Sequence, residues 1–193
     1  MGASLSIKAN LGTSPLICLP YVSSLIVKLS VGEVMFVFTI IFILIQVVLI
    51  RGEFEKRQYL QLVIGTIFSV FVDFSMMLVI GLNPVGYINQ MILLLFSCVV
   101  VAFGVLLEIQ AEIVYLPADG VIVAISKVLK KEFSYVKPFL DSSMVILAVA
   151  LSMIFLGYLA GVREGTIIST VIIGPIVKVL KNYLDSYIAK IIE

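Results

Sequence analysis

Histidine is absent from the chain, and cysteine occurs only as Cys18 and Cys98, both inside apolar runs. These absences exclude histidine-based metal sites and a Cys-His catalytic pair. No phosphate loop, zinc spacing or nucleophile–base set occurs either. Neither a metal, a cofactor nor an enzymatic activity is therefore expected. Charged residues make up only 13% of the 193 residues, about half the share of a soluble domain, and the formal net charge is +1. That balance argues against nucleic acid or another polyanion as a partner. Met1 opens no secretory signal, since Gly-Ala-Ser-Leu-Ser-Ile-Lys follows with no basic stretch before an apolar core. The two cysteines read as reduced packing residues rather than a disulfide.

What remains is apolar. Hydrophobic residues make up 62% of the chain and mean hydropathy is +1.22. Such a chain cannot cover its outside with polar groups, so its expected partner is the lipid bilayer. Residues 31–50, 59–80, 86–107 and 138–160 are each long enough to span a hydrocarbon layer of ~30 Å, at about 20 residues per span. A fifth span is expected at 166–177, extending to about 184. Residues 16–29 and 121–129 are too short or too basic to span and read as half-helices or interfacial helices.

Gly65-Thr-Ile-Phe-Ser69 and Gly165-Thr-Ile-Ile-Ser169 are one pentad repeated 100 positions later with a single change. Working back from each, Glu33 and Asp141 coincide once the loop 51–58 is allowed in the first half only. Thr13-Ser14-Pro15 and Ala118-Asp119-Gly120 then fall at similar places, each opening a short apolar helix. The pattern predicts a duplicated unit, with residues 1–85 as the first copy and 86–193 as the second. By analogy with 86–113, most of an N-terminal helix is expected ahead of Met1. Placing the loop 51–58 inside puts Arg51, Lys56, Arg57, Lys127, Lys130, Lys131, Lys137, Lys178, Lys181 and Lys190 in the cytoplasm, and only Lys8, Lys28 and Arg163 outside. The C-terminus is then cytoplasmic. Three spans per unit, an odd number, turn the second copy upside down, so the repeat is inverted.

Few residues carry chemistry. Asp73 is expected within a span, where a carboxylate is costly unless paired, hydrated or protonated. It reads either as a proton- or cation-coupling site or as a serine-paired aspartate joining two helices. Ile173-Gly174-Pro175 occupies the corresponding depth in the second copy, and Pro175 is expected to kink its helix. Thr13 or Ser14 is expected to cap a helix beginning at Pro15, and Asp119 one beginning at Gly120. If these helices dip into the membrane, their amino ends bring partial positive charge toward the middle, suited to an anion or a carbonyl. The alternative is that both lie at the interface and the motifs are ordinary caps. Glu33 and Asp141, near span entrances, read foremost as acids answering the helix dipole. Glu108 and Glu112, one turn apart, read as a solvated face, and Gln46 and Gln61 as sources of interhelical hydrogen bonds.

Ile7-Lys8-Ala9-Asn10-Leu11-Gly12-Thr13-Ser14-Pro15, Pro117-Ala118-Asp119-Gly120-Val121-Ile122-Val123-Ala124-Ile125-Ser126, and Gly165-Thr166-Ile167-Ile168 running to Ile173-Gly174-Pro175 resemble the YczE/YyaS/YitT group of bacterial multi-pass membrane proteins, in its YczE-like branch. In that group the first motif usually continues with a Trp-Asp pair after the proline; here Leu16-Ile17 stand instead. The resemblance implies a protein of the bacterial plasma membrane and supports the architecture more than any activity.

The sequence thus predicts an all-α polytopic membrane protein with an inverted internal repeat and two broken or re-entrant half-helices meeting near the midplane. The leading expectation for function is transport or export of a small solute, coupled to protons through Asp73, with Thr13, Ser14, Asp119 and Gly120 completing the lining. A passive channel and a non-transporting partner or regulatory subunit are the alternatives, and a homo-oligomer or a partner chain is left open.

Overall fold

The computed structural model describes residues 1–51, 56–111 and 115–192. Residues 52–55 of the expected loop and Glu112 lie outside them. The described residues form eight α-helices and no strand: α1 (Gly2–Ala9), α2 (Pro15–Val27), α3 (Val31–Ile50), α4 (Leu60–Leu78), α5 (Tyr87–Ala111), α6 (Pro117–Leu129), α7 (Phe133–Leu151, prolonged by a π-helical turn, Ser152–Leu156) and α8 (Glu164–Ile192). Four stretches have the length and apolarity to cross a membrane: Val31–Ile50, Leu60–Leu78, Tyr87–Glu108 and Tyr135–Leu156. The chain is an all-α polytopic protein. The fifth expected span falls in α8, which is not among the four. Lys178 and Lys181 end its uncharged run, and residues 166–177 reach about 18 Å at 1.5 Å per residue, short of the hydrocarbon thickness.

Side-chain contacts fix the helix directions. At the start of α3, Ser30 and Glu33 form a capping box, in which the Ser30 hydroxyl accepts the Glu33 N–H at 3.0 Å and the Glu33 carboxylate accepts the Ser30 N–H at 2.8 Å. The same turn meets Asp73, late in α4. At the other end, Gln46 and Gln61, 0% and 2% exposed, exchange amide hydrogen bonds of 2.9 and 3.1 Å. The α3–α4 pair is therefore antiparallel, pinned at both ends by buried or capping polar groups. In an apolar surround such groups favour pairing because no water competes for them.

The two short helices match closely. Each has 13 residues, begins with proline at its first position and ends on a left-handed lysine, Lys28 or Lys130. Pro15 and Pro117, Val27 and Leu129, and Lys28 and Lys130 all keep one interval of 102 residues. The pentad glycines, at 65 and 165, keep an interval of 100 instead. Glu33 is the third residue of α3, whereas Asp141 lies nine residues into α7, so the two acids are not equivalent.

The short helices are exchanged in packing. α2 lies against α7, and α6 lies against α3. Cys18, Leu19 and Val22 of α2 bury themselves with Met144 and Ala148 of α7. The pentads sit where each half meets the chain break of the other. A Cβ on Gly65 would press on Thr39 and Pro117, and one on Gly165 would collide with the Leu11 carbonyl oxygen and Leu94. Ser69 and Ser169, one turn on, are both buried and donate to carbonyls of their own helices. The repeated glycine is thus a close-approach site in both places.

Gly165→Ala is expected to lower thermal stability in detergent by about 1–3 kcal/mol through overpacking. Gly174→Ala, whose new methyl group meets nothing within 4 Å, is expected to leave it unchanged or slightly raised. Equal losses in the two variants would contradict the close-approach role.

Candidate functional site

The amino ends of α2 and α6 converge. Leu16 and Pro20 of α2 and Leu116, Pro117 and Ala118 of α6 line one cavity of about 30 Å³, closed by Met35, Phe38, Thr39 and Phe42 of α3 and by Gly65 and Phe68 of α4. Thr39 is the ninth of the 20 residues of α3, some 12 Å along it, so the cavity lies near the middle of the α3–α4 pair. Gly120, three residues into α6 from Pro117, packs on Gln46, farther along α3. α6 therefore runs outward from this central point in the direction of α3.

The sequence-predicted residues divide among three places. Pro15 does begin α2, with Ser14 at the capping position, but no side-chain capping bond forms. Thr13 instead donates both its N–H and its hydroxyl to the Gly161 carbonyl, at 2.8 and 3.2 Å, tying the break to the α7–α8 loop. α6 begins at Pro117 with Leu116 in the capping position, not at Gly120 with Asp119 as cap. The proline fixes φ for a first helical turn, which draws the start three residues earlier. Gly120 is a close-approach residue whose missing side chain admits the Gln46 amide, and that amide donates to the Pro117 carbonyl at 3.0 Å.

Asp73 is away from the cavity. It lies five residues before the end of α4 at Leu78. Its carboxylate accepts the Ser30 hydroxyl at 2.6 Å and the Gly32 N–H at 2.7 Å, so it compensates the amino end of α3 from a neighbouring helix. The serine-paired alternative describes it, and the expected midspan placement is corrected. Hydropathy located it inside an apolar run but carried no information on what faced it. Glu33 belongs to the same cap. Pro175 is exposed on α8, beside a glycine with open space around it, and does not line the cavity.

A charged group that the sequence reading missed stands beside the α6 amino end. Lys137 of α7 pairs with Asp119 of α6 at 2.9 Å and approaches Asp141, one turn on, at 4.0 Å. Asp119 and Asp141 side chains are 19% exposed and that of Lys137 41%. From α5, the Glu108 carboxylate accepts the Leu116 N–H at 2.9 Å. The lysine expected in a cytoplasmic loop thus sits in a helix, and Glu108 binds backbone rather than standing on a solvated face. Three carboxylates against one ammonium make this a group that can gain a proton or a cation. No cluster of acids, cysteines or histidines among the described residues has the geometry to hold a metal. The available signal was the Lys137–Asp141 spacing of one helical turn across Pro138.

These features define a multi-pass α-helical membrane protein with two half-helices docked into its interior. More particularly, the chain belongs to a family of unknown function (DUF6198), whose model matches residues 1–182. No curated protein and no solved structure matches it.

Two outcomes test this assignment of roles. Asp73→Ala is expected to cost about 1–2 kcal/mol of stability, as loss of a helix cap does, with Ser30→Ala adding little on top because both act on one helix end. For the ion pair, Lys137→Met and Asp119→Asn are each expected to lower the unfolding midpoint, and the double variant by clearly less than their sum. Additive losses would place the two residues in separate interactions.

Proposed function

We propose that this protein is a transporter of a small solute in the bacterial plasma membrane, related to the YczE/YyaS/YitT group and built as an inverted repeat of residues 1–85 and 86–193. The observation that carries the reading is the convergence of two half-helix amino ends on one small cavity between α3 and α4. Backbone breaks at membrane depth persist only where they are buried or line a solute path, and paired broken helices from two copies are how many transporters make a central site. The exchange of α2 and α6 between the halves supplies two bodies that can rock about that site. The lysines at the ends of α6 and α8 favour a cytoplasmic C-terminus.

Coupling to protons belongs, in this proposal, to Glu108, Asp119, Lys137 and Asp141 in place of Asp73. A proton taken up there changes the charge at the α6 amino end, and so the balance between states open to either side. In sealed vesicles holding the purified protein, an imposed pH gradient is expected to dissipate on addition of a transported small solute, and not to do so with Asp119→Asn. Solute flux that ignores the gradient would indicate a passive channel instead. Absence of flux for every solute tried, with a second polypeptide copurifying, would indicate a partner subunit.

A further inference from the structure

Among the side chains lining the central cavity the polar one is Thr39, whose hydroxyl can donate or accept. The rest of the lining is apolar apart from main-chain groups. Thr39 is 6% exposed and its hydroxyl has no hydrogen-bond partner among the described residues. Lining the cavity, this hydroxyl is available to donate to a small group held there. In the first turns the Ile17 and Cys18 N–H groups donate to the Ser14 carbonyl and the Gly120 N–H to the Leu116 carbonyl, which leaves the N–H groups of Leu16, Ala118 and Asp119 to face the helix starts, and each amino end carries about half a positive charge. No acid stands in the first turn of α2 to offset it. At α6 the chain already binds a carboxylate of its own, since Glu108 accepts the Leu116 N–H at 2.9 Å. Asp119 is neutralised by Lys137 at 2.9 Å. The cavity volume of about 30 Å³ suits one or two water-sized groups.

We propose that a small monovalent anion binds in this cavity, between the amino ends of α2 and α6 and against the Thr39 hydroxyl, in competition with the Glu108 carboxylate. The inference deepens the transport reading by naming its substrate class and rests on that reading only for the anion's movement, not for its binding. Glu108 is faced by Asp119 from α6 and Lys137 from α7, with Asp141 behind the lysine; α1 and α8, packed on α5 elsewhere, bring no charged group to it among the described residues. Protonation of Glu108 removes the competing charge, so the anion binds more tightly as pH falls. A proton and an anion then enter the same state together.

The test is thermal unfolding of the purified full chain in detergent, in sodium chloride against sodium gluconate at equal ionic strength, gluconate being too large for the cavity. Chloride is expected to raise the midpoint saturably, with a lower half-saturating concentration at mildly acidic than at mildly alkaline pH. Thr39→Val should raise that concentration about tenfold, the worth of a hydrogen bond to a charged group, while Thr39→Ser keeps the wild-type value. Glu108→Gln should tighten chloride binding at alkaline pH and flatten the pH dependence. Identical midpoints in chloride and gluconate for wild type and Glu108→Gln would overturn the inference, as would a chloride effect that Thr39→Val leaves unchanged. Chloride flux in vesicles separates the two readings. Binding without flux removes the transport reading alone, and flux of another solute without chloride binding removes the anion alone.

Discussion

The absence of water in a bilayer's interior governs this structure. Every backbone N–H and C=O there must find a partner inside the protein, and the chain breaks its helices at two points, beside the α3–α4 and α5–α8 pairs. The break before α2 is satisfied by the α7–α8 loop, through Thr13 on Gly161 and through the Gly165 N–H on the Leu11 carbonyl. The start of α6 is satisfied by α3 and α5, through Gln46 on Pro117 and Glu108 on Leu116. Each break depends on elements from the other half or on a distant helix. Neither short helix is held by its own neighbours alone.

From that dependence the interior site follows. Holding a helix start beside the midpoint of α3 requires backbone to approach backbone, hence Gly65 and Gly165 at the contacts. Once the starts are fixed, two helix amino ends face the same small space. The charges that answer them are placed asymmetrically, with Glu108, Asp119, Lys137 and Asp141 all in the second half. Among the described residues of the first half, Glu33 and Asp73 both bind the capping turn of α3. Two short helices of equal length thus carry an asymmetric electrostatic load.

Much of the scaffold was legible in the sequence, because span length and apolarity are local properties. The pentad was legible too, since close approach demands glycine wherever it recurs. The register between halves was not. Working back from the pentads paired Glu33 with Asp141, although an acid is tolerated at many depths, whereas proline at a helix start is positional. Pro15 and Pro117, which start α2 and α6, lie 102 residues apart, against 100 for the pentad glycines. The role of Asp73 and the grouping around Lys137 depend on which helix lies opposite, information that only the packing of α3 on α4 and of α6 on α7 supplies.

If the repeat is inverted, as proposed, the two half-helices enter from opposite faces of the membrane and end on those faces. Lys28 and Lys130 close α2 and α6 at equivalent, exposed positions, and Cys18 and Cys98 are buried and replaceable by small residues. Single cysteines at these two sites, treated in sealed vesicles with a membrane-impermeant thiol reagent, give the most direct answer. The account predicts labelling of Lys28→Cys from one side only and of Lys130→Cys from the other side only. Labelling of both from the same side would contradict it.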